Sequence, residues 1–170
     1  MNFKEQLLSQ GYVTLSAKHL SDFLDIDQIE FKLNPVTERV DPENTPSSNV
    51  EIIDKKLLVL HHEIAREYLE PYVTSYRLLH RNIWEGVILN ADKWHSDSYE
   101  RPDLFFLLYF NDLNHEGALC VRREELESRI EIQRGTLVAI ENNDPKFEHK
   151  VEPFVNKRVA ACFRFAVEWK

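Results

Sequence analysis

Residues 104–110 read Leu-Phe-Phe-Leu-Leu-Tyr-Phe, an apolar and aromatic run that ends at the polar pair Asn111-Asp112. Aromatic residues are common in β-strands, and polar clusters of this kind typically bound them. Side chains alternate between the two faces of a strand, so Phe105, Leu107 and Tyr109 are expected to share one face. The run therefore predicts a β-strand that ends in a polar turn.

Similar runs follow one another from Tyr72 onward, separated by glycines or polar clusters. They cover residues 72–79, 84–89, 104–110, 119–121, 136–140, 150–155 and 159–169. About seven or eight short strands behind a helical first third predict a jelly-roll or barrel of two sheets, supported by helices. An α+β sandwich with the same content is the alternative.

The first third of the chain has helical rather than strand-like spacing. Asn2 is expected to cap a helix over residues 3–10, and Ser16 a second short helix. Residues 34–49 are polar and proline-containing, which predicts a long loop of the kind that often forms a lid. The last residue of that loop, Asn49, is expected to cap the longest helix, over residues 50–69.

Composition excludes several classes of protein. The chain has 170 residues, 43% of them hydrophobic, and contains no apolar run long enough for a membrane helix. Its net charge of −8 argues against a broad basic face for nucleic acid. Cys120 and Cys162 are far apart and lack metal-ligand spacing, which suits a reduced interior. We therefore expect a cytoplasmic domain without membrane association.

Two histidines and a carboxylate stand out among the residues capable of chemistry. His95-Ser96-Asp97 would place an imidazole and a carboxylate on one side of a strand, although about one such tripeptide is expected by chance. His149 lies 52 residues beyond Asp97 and completes the ligand set of a facial triad for ferrous ion. Arg158 follows nine residues later and offers a bidentate fork for the far carboxylate of a dicarboxylic acid.

Five motifs in the second half of the chain resemble, in the same order, those of the iron(II)- and 2-oxoglutarate-dependent dioxygenases of the prolyl-hydroxylase type. They are Trp94-His95-Ser96-Asp97, Leu104 to Asp112, Glu116-Gly117-Ala118-Leu119, Gly135 to Ile140, and His149 to Pro153 followed by Arg158. The similarity covers roughly residues 80–170. It implies a mainly β (α+β) double-stranded β-helix, a jelly-roll or cupin-like barrel, with supporting N-terminal helices.

The resemblance also implies a role for each matching residue. His95, Asp97 and His149 would bind Fe(II), and no catalytic side chain is expected beyond these ligands. Arg158 would form a salt bridge with the remote carboxylate of the co-substrate 2-oxoglutarate. Tyr109 would donate a hydrogen bond to the same carboxylate, with an ordinary core aromatic as the alternative.

Arg164 departs from the prolyl-hydroxylase pattern, which usually has an aromatic residue at this position. It lies six residues after Arg158, a spacing that resembles the repair dioxygenases of alkylated nucleic acids. The preferred hypothesis is that Arg164 contacts a carboxylate, either of 2-oxoglutarate or of an acidic or amino-acid substrate. The alternative is a buried arginine paired with one acidic side chain.

The implied reaction uses O2 to hydroxylate an unactivated C–H of a small molecule, amino acid or peptide side chain, with release of succinate and CO2. The whole chain would be one domain, with residues 1–70 as helical support and lid loop and 72–170 as the catalytic barrel. Loops 34–49 and 98–103 would select the substrate. The alternatives are a cupin-like metal protein that does not use 2-oxoglutarate, a non-catalytic binding module, and a nucleic-acid demethylase of the alkylation-repair type.

Overall fold

The computed structural model describes most of the chain, with gaps between its elements. The described residues are 1–17, 35–39, 47–50, 55–88, 93–96, 103–112, 114–142, 144 and 146–170, and only the backbone is described for 35–39, 47–50, 55–58, 84–88 and 157. The two helices are α1 (Phe3–Gln10) and α2 (Lys55–Tyr68). The strands are β1 (Tyr12–Ser16), β2 (Pro35–Arg39), β3 (Ser47–Val50), β4 (Val73–Ile88), β5 (Leu104–Tyr109), β6 (Leu119–Arg123), β7 (Leu126–Ile130), β8 (Thr136–Glu141), β9 (Phe147–Val151) and β10 (Phe154–Trp169).

The strands form two antiparallel sheets that pack face to face. The main sheet has the order β1-β8-β5-β10-β4-β3-β2, and the minor sheet has the order β7-β6-β9. One apolar cluster joins the two inner faces, for example through Phe105 and Val138 of the main sheet and Val121 and Phe147 of the minor sheet. These sheets confirm the predicted jelly-roll.

Strand β5 shows how the alternation of side chains builds the layers. Phe105 and Tyr109 face the minor sheet, whereas Phe106 lies in a second cluster with the helices. That cluster includes Leu7 of α1 and Ile64 of α2. The helices therefore cover the outer face of the main sheet, and its inner face is left to form the interior of the barrel.

Helix α1 covers residues 3–10 as the sequence predicts. Asn2 and Glu5 form a reciprocal capping box, in which the Asn2 side chain accepts from the Glu5 amide and the Glu5 side chain accepts from the Asn2 amide. Gly11 ends the helix at a φ of 80°, and its amide donates to the Leu7 carbonyl at 2.7 Å. The helix then leads directly into β1, which pairs with β8 in the main sheet.

We expect Gly11→Ala to lower the free energy of unfolding by roughly 3 kcal/mol. A side chain there would adopt a left-handed backbone conformation, and its Cβ would lie only 2.7 Å from Cε2 of the buried Phe147 ring. Urea denaturation measures the change. Gly135 has the same φ of 80°, so Gly135→Ala controls for the backbone cost of about 1–2 kcal/mol. Equal losses in the two variants would contradict the predicted clash with Phe147.

Several predicted boundaries in the first half of the chain are wrong. Residues 35–39 and 47–50 form β2 and β3 instead of lying in one loop, because β4 provides a ladder with which β3 pairs. Pro35 is tolerated because β2 is the last strand of the described sheet. Asn49 and Val50 lie in β3, so Asn49 is not a helix cap, and α2 is described from Lys55 onward.

Ser16 is the last residue of β1, and the short helix predicted to follow it falls outside the described residues. Two other predictions also need correction. The strands predicted over 72–79 and 84–89 are one continuous strand, β4, which pairs with β10 along its length. The strand predicted over 150–155 is interrupted at Glu152 and Pro153, which separate β9 from β10.

No helix among the described residues is both long and apolar enough to cross a lipid bilayer. Predicted loop 98–103 and predicted ligand Asp97 fall outside the described residues, apart from Asp103.

Candidate active site

His95 and His149 lie opposite each other at one edge of the minor sheet. Their backbones form an antiparallel bridge, in which the His95 amide donates to the His149 carbonyl at 3.1 Å and the reverse bond is 2.9 Å. The centroids of the two imidazole rings are 4.4 Å apart. Two histidines that are 54 positions apart in the sequence therefore lie close enough to bind the same ion.

The hydrogen bond of His95 determines which ring nitrogen carries the proton. Its Nδ1 atom lies 2.8 Å from the Lys93 carbonyl oxygen, which can only accept a hydrogen bond. Nδ1 is therefore the protonated nitrogen of the neutral ring, and the lone pair is on Nε2. A backbone carbonyl that holds the second nitrogen in this way is typical of metal-binding histidines. The donor chemistry of His95 thus fits a metal ligand.

His149 lies on the inner face of the minor sheet. Strand β9 alternates buried and half-buried residues, and His149 is a buried position between Phe147 and Val151, with 8% of its surface exposed. The ring of Phe105, on the facing sheet, packs edge-on at 5.9 Å between centroids. His149 therefore faces the apolar interior between the two sheets.

The described residues contain no cluster of three or more histidine, cysteine, aspartate or glutamate side chains with metal-ligand geometry. They do not include Asp97, the predicted third ligand. The structure thus brings together two of the three predicted ligands, and the role of Asp97 stays a prediction.

Arg158 is buried at another level of the interior, with 3% of its surface exposed. Its guanidinium carbon lies 4.7 Å from the ring centroid of Phe154 and 5.5 Å from that of Tyr109. One nitrogen, Nη1, donates to the Gly117 carbonyl at 3.5 Å. The planar guanidinium has the donor geometry to form two parallel hydrogen bonds with a carboxylate.

Tyr109 lies beside this arginine and is fully buried. Burial raises the pKa of its hydroxyl above the usual value, the positive charge of Arg158 opposes that shift, and the Cys162 thiol adds to it. The hydroxyl is therefore protonated at neutral pH and can donate a hydrogen bond to an anion.

The imidazoles and the guanidinium lie at two levels of one apolar cluster. His149 packs against Phe105, whereas Arg158 lies against Tyr109, four residues further along β5 and about 13 Å away at the spacing of a strand. Leu107 and Cys162, which are opposite each other in the register of β5 and β10, lie between these levels.

Arg164 is half-buried and bonds to a buried polar pair, Asp103 and Asn142, that its sequence pattern did not reveal. Its Nε donates to Asp103 Oδ2 at 2.9 Å, and its Nη2 contacts the same oxygen. The other carboxylate oxygen accepts from Asn142 Nδ2 at 2.7 Å. This pairing favours the alternative of an arginine held by one acidic side chain, and a contact with 2-oxoglutarate stays a prediction. Asp103 and Asn142 were missed because each lies far from Arg164 in sequence.

We expect Arg164→Met to lower the free energy of unfolding by about 3 kcal/mol, because it leaves the carboxylate of Asp103 buried without its cation. The double variant Asp103→Asn/Arg164→Met should recover most of that loss in urea denaturation. Arg123→Met is the matched control, since Arg123 pairs with Asp144 at a more exposed site and should cost about 1 kcal/mol or less. Equal losses for Arg164→Met and the double variant would contradict the importance of the pair.

Comparison with known proteins supports the assignment of the fold. No known family profile matches the sequence. No curated protein matches it either. Solved structures do match over nearly the whole chain, at identities low enough that the likeness concerns the fold alone.

Three of these structures are similar to the chain described above. A 2OG-Fe(II) oxygenase family oxidoreductase from Burkholderia pseudomallei matches with a TM-score of 0.66 and 12% identity, over 96% of this chain and 88% of its own. A Pseudomonas putida prolyl-4-hydroxylase matches with a TM-score of 0.57 and 15% identity, over 98% and 96%. HygX from Streptomyces hygroscopicus, with nickel and 2-oxoglutarate bound, matches with a TM-score of 0.59 and 12% identity, over 96% and 85%.

The chain therefore has the double-stranded β-helix fold of the 2-oxoglutarate- and iron(II)-dependent oxygenases, including the prolyl hydroxylases.

Proposed function

We propose that this chain is an Fe(II)- and 2-oxoglutarate-dependent oxygenase that hydroxylates a C–H bond of a small molecule, amino acid or peptide side chain. One observation carries the proposal: two adjacent histidines and a buried arginine lie at two levels of one apolar interior. Metal ligands at one end and an anion-binding cation at the other are what a chelating dicarboxylic acid requires.

In this proposal, His95, His149 and Asp97 hold the metal. His95 would bind through Nε2, because its Nδ1 proton is donated to the Lys93 carbonyl. Ferrous ion, when bound, would couple the oxidation of 2-oxoglutarate by O2 to the oxidation of a substrate C–H bond. The protein's part is to orient the ligands and to keep three coordination positions open.

Arg158 and Tyr109 would hold the remote carboxylate of 2-oxoglutarate. The planar guanidinium can donate two parallel hydrogen bonds to a carboxylate, and the protonated Tyr109 hydroxyl can add a third. The Phe154 ring and the Gly117 carbonyl keep the guanidinium in place. Such an interaction is strong in this buried site because little water screens it.

The proteins of similar fold support this choice of cofactors. HygX has been crystallised with nickel and 2-oxoglutarate, and with hygromycin B as well. A prolyl hydroxylase from Trichoplax adhaerens forms a complex with a hypoxia-inducible-factor peptide. We propose that this chain likewise uses a metal ion, 2-oxoglutarate and a small-molecule or peptide substrate. No described contact favours a nucleic-acid substrate, because Arg164, whose spacing suggested one, is paired with Asp103.

The test is succinate release from 2-oxoglutarate in the presence of ferrous ion and O2, for the wild type and for Asp97→Ala. We expect succinate from the wild type and background release from Asp97→Ala. His115→Ala is the control variant, because His115 lies in an exposed turn and its side chain is 80% accessible. Wild-type protein that binds iron but releases no succinate above the Asp97→Ala background would reject the proposal and leave a metal protein that does not use 2-oxoglutarate.

A further inference from the structure

Trp94 lies beside His95 in sequence and on the other side of the minor sheet. Neighbouring residues of an extended chain point to opposite faces, so His95 faces the interior and Trp94 faces outward. The antiparallel bridge between His95 and His149 places Trp94 opposite Lys150 of β9.

Two cations hold the Trp94 indole. The Arg122 guanidinium carbon is 4.5 Å from the ring centroid, and so is the Lys150 ammonium nitrogen. Lys150 is on β9 and Arg122 is on β6, the next strand of the minor sheet. The indole therefore lies across the outer face of β9. Both contacts are within the range at which a cation is attracted to the face of an aromatic ring.

Arg122 is itself fixed in place. Its Nε donates to Glu148 Oε2 at 2.7 Å, and Glu148 lies opposite Arg122 in the register of β6 and β9. Glu148 also directly precedes His149. The surface formed by Trp94, Arg122, Lys150 and Glu148, which we call the outer clamp, is therefore attached to the strand that carries the second histidine.

The segment that carries His95 meets the minor sheet on both of its faces, through the backbone bridge at His95 and through the Trp94 indole. Residues 93–96 join the minor sheet through an isolated bridge with one pair of backbone hydrogen bonds at His95. The bridge fixes the distance between the two backbones at His95, and the contacts of Trp94 on the outer face act on their relative tilt. The orientation of the His95 ring depends on that tilt, because its Nδ1 donates to the carbonyl of Lys93 in the same segment.

We infer that Trp94 is a positioning residue, whose indole, in contact with Arg122 and Lys150, sets the placement of His95 against His149. The effect of Trp94 on the placement of His95 concerns the protein without metal. Its effect on the affinity for a metal ion rests on the proposed function.

The experiment compares Trp94→Ala and Trp94→Phe with the wild type by two readouts. The first, without metal, is the hydrogen-exchange rate of the His149 amide, which bonds to the His95 carbonyl at 2.9 Å. The second is the Co(II) dissociation constant together with the visible absorption spectrum of bound Co(II), which reports ligand geometry. Trp169→Ala is the matched control, because Lys4 lies 5.7 Å from the Trp169 ring in a cation contact that is separate from the minor sheet.

We expect Trp94→Ala to speed exchange of the His149 amide about tenfold and to weaken Co(II) binding about 10–100-fold, as the loss of an orienting outer-shell partner does. Trp94→Phe keeps an aromatic face and should retain most of both properties. Trp169→Ala should leave both unchanged. If Trp94→Ala does not fold, the same two measurements are made on Lys150→Met, which removes one cation from the indole, and on Lys150→Arg, which keeps it.

Folded Trp94→Ala with wild-type exchange at His149 and wild-type Co(II) affinity would overturn the inference. Another outcome distinguishes failure of the proposed function from failure of this inference. If the wild type binds no Co(II) but Trp94→Ala still accelerates exchange, the outer clamp is upheld in the free protein and the iron proposal fails.

Discussion

Replacement of Arg158 by methionine is expected to raise the KM for 2-oxoglutarate roughly 100–1000-fold while ferrous ion still binds. Truncating one partner of a buried, hydrogen-bonded charge pair costs about 2–5 kcal/mol. With the proposed co-substrate bound, Arg158 would meet those conditions, because only 3% of its surface is exposed and it packs on the rings of Phe154 and Tyr109. Methionine fills a similar volume, so the apolar packing is largely kept.

Two further variants make this prediction specific. Arg158→Lys keeps the charge but loses the planar fork, so its KM should lie between those of the wild type and Arg158→Met. Arg129→Met is the control, because Arg129 also donates to a carboxylate through two nitrogens, with Glu152, but at an exposed site. Steady-state turnover of 2-oxoglutarate gives the KM of the wild type and of the three variants. A folded Arg158→Met enzyme with a wild-type KM would remove Arg158 from the co-substrate site.

Replacement of His149 by alanine is expected to weaken Co(II) and Fe(II) binding more than about 100-fold. Loss of a residue that only hydrogen-bonds to a metal ligand typically costs less than this. The imidazole is buried on β9 and its ring centroid lies 4.4 Å from that of His95, so its removal would take away one of the three predicted ligands. Competition titration against a chromogenic chelator gives the dissociation constants.

The control for His149→Ala is a histidine that lies outside the interior. His115→Ala removes an imidazole from an exposed turn, where its Nδ1 lies 3.5 Å from a Glu131 carboxylate oxygen. It should leave metal affinity and succinate release unchanged. If His149→Ala binds Co(II) as tightly as His115→Ala does, His149 is not a ligand.

Elements with strong local signals could be predicted from the sequence. Helix α1 has both partners of its capping box and its terminating glycine within ten residues, and it occurs where predicted. Strand β5 is an uninterrupted apolar run, and its predicted bounds differ from the observed Leu104–Tyr109 by one residue. In both cases the residues that determine the structure are neighbours in the chain.

Elements that depend on distant partners could not be predicted in this way. The polar residues of β2 and β3 have little strand propensity of their own, and they form strands because β3 pairs with β4 more than 30 positions later. Strand β4 continues past the polar Arg81 and Asn82 because β10 pairs with it on both sides of them.

The same distinction applies to the site. The spacing from His95 to His149 and Arg158 matched a known motif, so these residues could be singled out before their positions were known. The Asp103 partner of Arg164 is 61 positions away and belongs to no motif. An ion pair of this kind becomes visible only when β5, β8 and β10 are assembled.

The proposed function is tested most directly by measuring 2-oxoglutarate binding with and without metal under anaerobic conditions. Calorimetric titration of 2-oxoglutarate into Fe(II)-loaded wild type, metal-free wild type and Fe(II)-loaded Arg158→Met needs no knowledge of the substrate. We expect binding to the loaded wild type and at least about 100-fold weaker binding to each of the other two, because chelation and the Arg158 salt bridge each contribute several kcal/mol. Equal affinity of all three proteins, or no binding by the loaded wild type, would contradict an iron and 2-oxoglutarate site between His149 and Arg158.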